Sequence, residues 1–105
     1  MKMYILVRDS IPLGHQVNCV GHASIVCFVE FKNDPDLQDW WVYSFRKVTC
    51  EVTDEQFEKA KEFEKHVVVK ESDLDGVEVA IAFCPREKYN EWFKSLKLFG
   101  AKDAD

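Results

Sequence analysis

The sequence predicts one α/β domain: a four-stranded mixed sheet covered by helices. Three features carry this. A continuous apolar run, Tyr4-Ile5-Leu6-Val7, breaks off at polar Arg8-Asp9-Ser10, as a strand buried on both faces does. Apolar residues then recur at helical spacing from Val17 to Phe31, and an alternation from Arg46 to Val52 marks a strand with one wet face. At 105 residues the chain has room for one compact core, so residues 1–105 are read as a single domain.

After the first strand, Pro12 and Gly14 punctuate a short loop. The helix that follows is apolar almost all round, with Ala23, Ile25, Val26 and Val29 beside its main stripe, and is therefore expected at the centre of the fold. Asn33-Asp34-Pro35 ends it, and Pro35 suits the first turn of a short second helix over Asp36–Trp41. In the next strand, a candidate edge strand, Val48, Cys50 and Val52 alternate with Lys47, Thr49 and Glu51. Thr53-Asp54-Glu55-Gln56 fits a capping box and opens a helix carrying Phe57, Ala60 and Phe63 on one stripe.

Val67–Val69 is a short buried strand, Glu71 to Gly76 a polar loop with an Asp-Gly turn, and Val77–Phe83 another strand. Pro85 then opens a last helix with Tyr89, Trp92, Phe93 and Leu96 on one face. In this arrangement the first strand is interior, and the first helix is more buried than the Glu55–Glu64 helix.

Composition narrows the setting. The apolar run Met3–Val7 is too short for a signal peptide, and no segment approaches the roughly 20 apolar residues that cross a bilayer. A soluble, cytoplasmic protein with no membrane partner is expected. Cys19, Cys27, Cys50 and Cys84 form no C-x-x-C pair and sit among apolar neighbours, as reduced, buried thiols do. The formal charge of −5 is the wrong sign for binding nucleic acid through the net field, so a polyanion would have to meet a local basic patch.

In open α/β sheets, ligands bind beyond the carboxyl ends of the strands. That edge gathers Arg8, the loop to Gly14, His15, and the acidic loop of Glu71, Asp73 and Asp75. His15 begins a helix whose free amides favour an anion or oxyanion; its plain reading is a solvated first-turn histidine. His15, Cys19 and His22 share one helical face, but a zinc site made from one helix needs a fourth ligand that the sequence does not nominate. Asn18 and His22 read as polar groups satisfied by backbone within the fold. Carboxylates crowded in one loop raise one another's pKa and can act as general acid or base, or form a solvated acidic turn. Arg46, Lys47, Lys65 and Lys70, with Arg86, Lys88, Lys94, Lys97 and Lys102 near the C-terminus, are candidates for the basic patch.

Ile5-Leu6-Val7-Arg8-Asp9, Pro12-Leu13-Gly14 and Gly21-His22-Ala23, followed by the strands and terminal segment of Val67–Leu98, resemble the peptidyl-tRNA hydrolase type 2 family over most of the chain. The resemblance implies a four-stranded mixed sheet with helices on both faces. It also implies hydrolysis of the ester joining a peptide to tRNA, within translation and without metal or organic cofactor. His15 stands where the family has a lysine, Cys19 where it has a glutamine, and Glu71 where it has an aspartate; the family's following threonine has no counterpart in a shorter loop. Catalysis is thus expected from His15 with Glu71 or Asp75, and substrate binding from Arg8, Gly14, Asn18 and His22. Expected partners are tRNA and a second copy of the chain. The alternative is a non-catalytic relative that binds a small ligand or protein in the same cleft.

Overall fold

The computed structural model describes residues 1–101. Its elements run β1 (Lys2–Arg8), α1 (Leu13–Glu30), α2 (Pro35–Tyr43), β2 (Arg46–Val52), α3 (Asp54–Ala60), β3 (His66–Glu71), β4 (Val77–Phe83) and β5 (Lys97–Leu98). The strands form one mixed sheet in the order β3-β4-β1-β2-β5. β1 is interior, parallel to β2 and antiparallel to β4, as its unbroken apolar run requires. The sheet has five strands, not four. The fifth, β5, is only two residues long and sets Leu98 against Cys50 and Lys97 against Glu51, so β2 is covered along part of its outer edge.

Strand alternation divides the core in two. Met3, Ile5 and Val7 pack against Cys19, Ala23 and Cys27 of α1 and Leu37 and Trp40 of α2. On the other face, Tyr4 and Leu6 meet Phe57 and Ala60 of α3 together with Phe83 and Phe93. Helices thus cover both faces, and each fully buried aliphatic side chain contributes about 1.5–3 kcal/mol.

Local signals set the helix starts. The Thr53 hydroxyl accepts from the Gln56 N–H (3.1 Å) while the Gln56 side chain accepts from the Thr53 N–H (2.9 Å), a complete capping box. Asp34 caps α2 by accepting from the Asp36 N–H (2.9 Å), with Pro35 in the first turn.

Two further expectations fail. α1 is not a central helix: only Gln16, Cys19, Ala23 and Cys27 of its 18 residues are buried, whereas α3 buries Phe57 and Ala60 within seven. α1 meets the sheet on one side, and the apolar residues on its other side face solvent. Apolarity all round a helix implies burial only when a second layer lies outside it. The helix expected after Pro85 is also absent. Tyr89 donates from its hydroxyl to the Lys2 carbonyl (2.8 Å), and Arg86 donates to the carbonyl of Glu64 (2.8 Å), which hold this stretch in an irregular path. A single 3-10 turn, Glu91–Ser95, capped by Asn90, then delivers Phe93 to the core. Leu96 follows in extended conformation, leading into β5.

Candidate active site

β1 and β3 both run antiparallel to β4, so their carboxyl ends share one sheet edge although β4 lies between them. Alternation aims the side chains. Val67 and Val69 pack toward α1, so Glu71, two residues further along β3, also faces α1. The partner strand carries a bulge here, pairing Val69 with Ala80 and Lys70 with Glu78 and leaving Val79 as the extra residue. Val79 and Ala80 consequently both enter the α1-side core, while Glu78 turns to the other face and pairs with Lys61.

On α1, His15, Cys19 and His22 follow one face, and all three act on Glu71. The Cys19 thiol donates to Glu71 Oε2 at 3.5 Å, and His15 Nδ1 lies 4.0 Å from the same oxygen. Glu71 Oε1 accepts from the Asp73 N–H at 3.2 Å. That backbone donor, together with the Cys19 thiol and the two imidazoles, holds the Glu71 carboxyl below its ordinary value despite the opposing effect of burial. Burial first, then the bond to Glu71 and its charge, push the Cys19 thiol up to about 11. Cys19 is therefore a protonated donor that fixes the carboxylate, not a thiolate nucleophile. His15 is 33% exposed and Glu71 12%, so the imidazole stands at the mouth with the carboxylate behind it.

The loop entering α1 is tied from beneath. Gln16, the one buried polar residue among those described, donates to the Arg8 carbonyl at 2.9 Å. α1 itself starts at Pro12 with no side-chain cap, so its first amides are not used by the fold. Gly14 is exposed, and a Cβ there would meet nothing within 4 Å, which leaves the approach to these amides open.

The remaining candidates are dispersed. Asn18 and His22 are exposed on α1. Asp75 is exposed at the end of the Ser72–Leu74 turn in left-handed conformation (φ 55°), preceding Gly76 (φ 75°), and forms no ion pair with His15. Arg8 has the parity of Tyr4 and Leu6 and turns away from His15. It pairs with Asp54 (2.9 Å), donates to the Glu78 carbonyl (2.9 Å) and lies over the Phe57 ring. Sequence reasoning placed Cys19 on the right face without identifying it as the donor to Glu71, and it missed Gln16, a polar side chain on the helix's inner stripe.

Among the described residues no group of three or more His, Cys, Asp or Glu is placed to hold a metal. The four cysteines are buried and unpaired. No helix of the described residues is long and apolar enough to cross a membrane.

Basic residues lie mainly elsewhere. Lys70 borders Glu71, but Arg46 and Lys47 sit at the amino end of β2, opposite Lys2 and Met3. Lys65 pairs with Asp34, Lys94 with Glu91 and Lys97 with Glu51; Lys102 lies outside the described residues. A cleft of about 440 Å³ also lies at that far end, lined by Lys2, Arg86, Lys88 and Lys94 together with Glu87 and Glu91. Concavity and reactive groups are thus at opposite ends of β1, and the chemistry, not the volume, identifies the His15–Glu71 edge as the candidate site.

No curated protein matches the chain. A model of the family described as peptidyl-tRNA hydrolase PTH2 matches residues 1–99, a span that takes in every element from β1 to β5 and the His15–Cys19–Glu71 cluster. The chain belongs to the peptidyl-tRNA hydrolase PTH2 family.

Proposed function

We propose that the protein hydrolyses the ester linking a peptide to the terminal ribose of tRNA, at the edge formed by His15 and Glu71. The observation that carries the reading is this pair, fixed by Cys19 at the open start of α1, in a chain of this family. Water attacks the ester carbonyl, the bond to the ribose oxygen breaks, and the water's protons end on the ribose hydroxyl and in solution as the peptide leaves as a carboxylate. His15 contacts the reacting groups, and ionised Glu71 orients it and balances the positive charge the imidazole gains when it takes the water's proton. The uncapped α1 amides offer donors to the developing oxyanion. Asp75 is the alternative carboxylate, and Gly14, Asn18 and His22 border the substrate's approach. Arg8, being engaged with Asp54, supports the loop instead of binding substrate.

Phosphates of the tRNA would meet the cationic cleft at the other end of β1, roughly 20 Å away along a seven-residue strand. That separation also favours a second reading, a relative that binds a small ligand at the His15 edge without catalysis. Release of free tRNA from peptidyl-tRNA, measured against a mock reaction, separates the two. Turnover by the parent protein, lowered at least about tenfold in His15→Ala and in Glu71→Gln, is the expected result. No parental turnover removes the enzyme reading for this substrate, and full activity in both variants moves the chemistry elsewhere.

A further inference from the structure

Gln16 is a buried polar side chain that the proposed chemistry leaves unused. It stands on the inner stripe of α1, where the other buried residues are Cys19, Ala23 and Cys27, and it is only 6% exposed. Its Nε2 donates to the Arg8 carbonyl at 2.9 Å, across the turn between β1 and α1. For stability alone an apolar side chain would fill this place as well, because a buried hydrogen bond contributes little net free energy. What the bond adds is direction.

Arg8 is a fixed point to bond to. Its guanidinium donates to Asp54 at the start of α3 (2.9 Å) and to the Glu78 carbonyl of β4 (2.9 Å), and the Ser10 hydroxyl donates to the same Asp54 oxygen (3.0 Å). The Asp9 N–H donates to the Val52 carbonyl of β2 at 2.9 Å. The end of β1 is thus held to α3, β4 and β2 together. α1, by contrast, starts without a side-chain cap. Among the described residues, Gln16 and Cys19 are the α1 side chains that hydrogen-bond outside the helix. Gln16 ties its first turn to β1, and Cys19 ties the next turn to Glu71 of β3 through a longer sulfur bond of 3.5 Å. A turn of α1 about its axis stretches one tie or the other. His15 immediately precedes Gln16, with Nδ1 4.0 Å from Glu71, so whatever fixes Gln16 also fixes the start of the imidazole's reach.

We propose that Gln16 is a positioning residue for the hydrolysis: its bond to the Arg8 carbonyl sets the rotation of α1 that aligns His15 and the uncapped amides with Glu71. The effect on turnover rests on the hydrolase reading; the alignment of His15 does not. Reactive groups displaced by about 1 Å can lose on the order of a hundredfold in rate, which gives a second-layer bond of this kind its leverage.

Gln16→Met keeps the length of the side chain and removes the donor, and Gln16→Leu repeats the loss with a second apolar shape. Both should fold, with far-UV circular dichroism unchanged. In the peptidyl-tRNA assay each should lower kcat at least about tenfold and leave KM within about twofold of the parent, because Gln16 touches no substrate. In NMR spectra of the imidazoles, the His15 ring resonances should move in both variants while those of His66, bonded to the Phe63 carbonyl at the far end of β3, stay in place. Unmoved His15 resonances overturn the proposal whether or not the parent turns over the ester. Parental kcat in both variants overturns it too, as does a loss confined to KM. A parent protein without turnover fails the hydrolase reading alone, and the His15 resonances then decide whether Gln16 sets the ring's place.

Discussion

α3 and α1 cover opposite faces of one sheet by opposite means. α3 is short, fully capped by Thr53 and Gln56, and aims Phe57 and Ala60 inward. Exposed Lys59, Glu62 and Glu58 carry its charge on the outer side, while Lys61 reaches back to Glu78 of β4. α1 is more than twice as long, has no capping side chain, packs inward through small residues and thiols, and leaves its apolar outer ridge bare. Every feature of α3 serves the stability of the monomer. α1 leaves its first amides uncapped and its outer apolar residues exposed.

The comparison breaks first at Phe57. If α3 is the stability helix, Phe57→Ala should cost about 3–5 kcal/mol in denaturant unfolding, with turnover per folded molecule preserved. A loss below about 1 kcal/mol would end the distinction. Thiols provide the next test, because burial pushes Cys27, on the inner stripe of α1, up to about 12. The unfolded chain ionises this thiol near its ordinary 9.0 while the folded chain keeps it protonated. Stability is therefore fully present below pH 9 and falls as pH rises from 9 toward 12, by at most about 1.4 kcal/mol per pH unit for one such group. Cys27→Ala should flatten this slope in unfolding curves taken at pH 8, 9.5 and 10.5, although Cys50 and Cys84, raised to about 11, keep part of it. An unchanged slope would detach the Cys27 thiol from alkaline stability.

The smallest effects form a mirrored pair. Thr53→Ala removes the α3 cap and should cost about 1 kcal/mol without lowering turnover. Pro12→Ser supplies α1 with the cap it lacks and should add about 0.5 kcal/mol while lowering turnover, because the new hydroxyl occupies amides assigned to the oxyanion. A Pro12→Ser variant with turnover equal to the parent would show that these amides take no part in the reaction.

What could be read from the sequence divides along physical lines. The Thr53–Gln56 box, the Asp34-Pro35 start and the Tyr4–Val7 strand are local signals, each complete within a few residues, and each holds. Tyr89, Trp92, Phe93 and Leu96 have helical spacing, but large rings reach a core from an irregular path as well as from a helix, so the spacing misleads. β5 is too short to carry any period. The apolar residues around α1 do not say whether anything covers them, so its place at the rim is not legible from its composition. For the site, sheet logic brings His15 and Glu71 together in spite of the intervening β4. It misplaces Arg8, because strand parity gives two sets of side chains without saying which set faces which helix. The bond from Cys19 to Glu71 depends on side-chain reach across two elements, which spacing along one helix does not encode.

The path between His15 and Glu71 has a kinetic consequence. His15 follows β1, Glu71 ends β3, and the two are connected in space through β4, which pairs locally with β3 but joins β1 only through Ile5–Ala82, Leu6–Ile81 and Val7–Ala80. The β3–β4 pairing is local in sequence, whereas its docking on β1 closes a loop of more than seventy residues, the kind of long-range contact that slows folding. The two halves of the site therefore lie on segments far apart in sequence, and they meet only when the chain's ends are brought together.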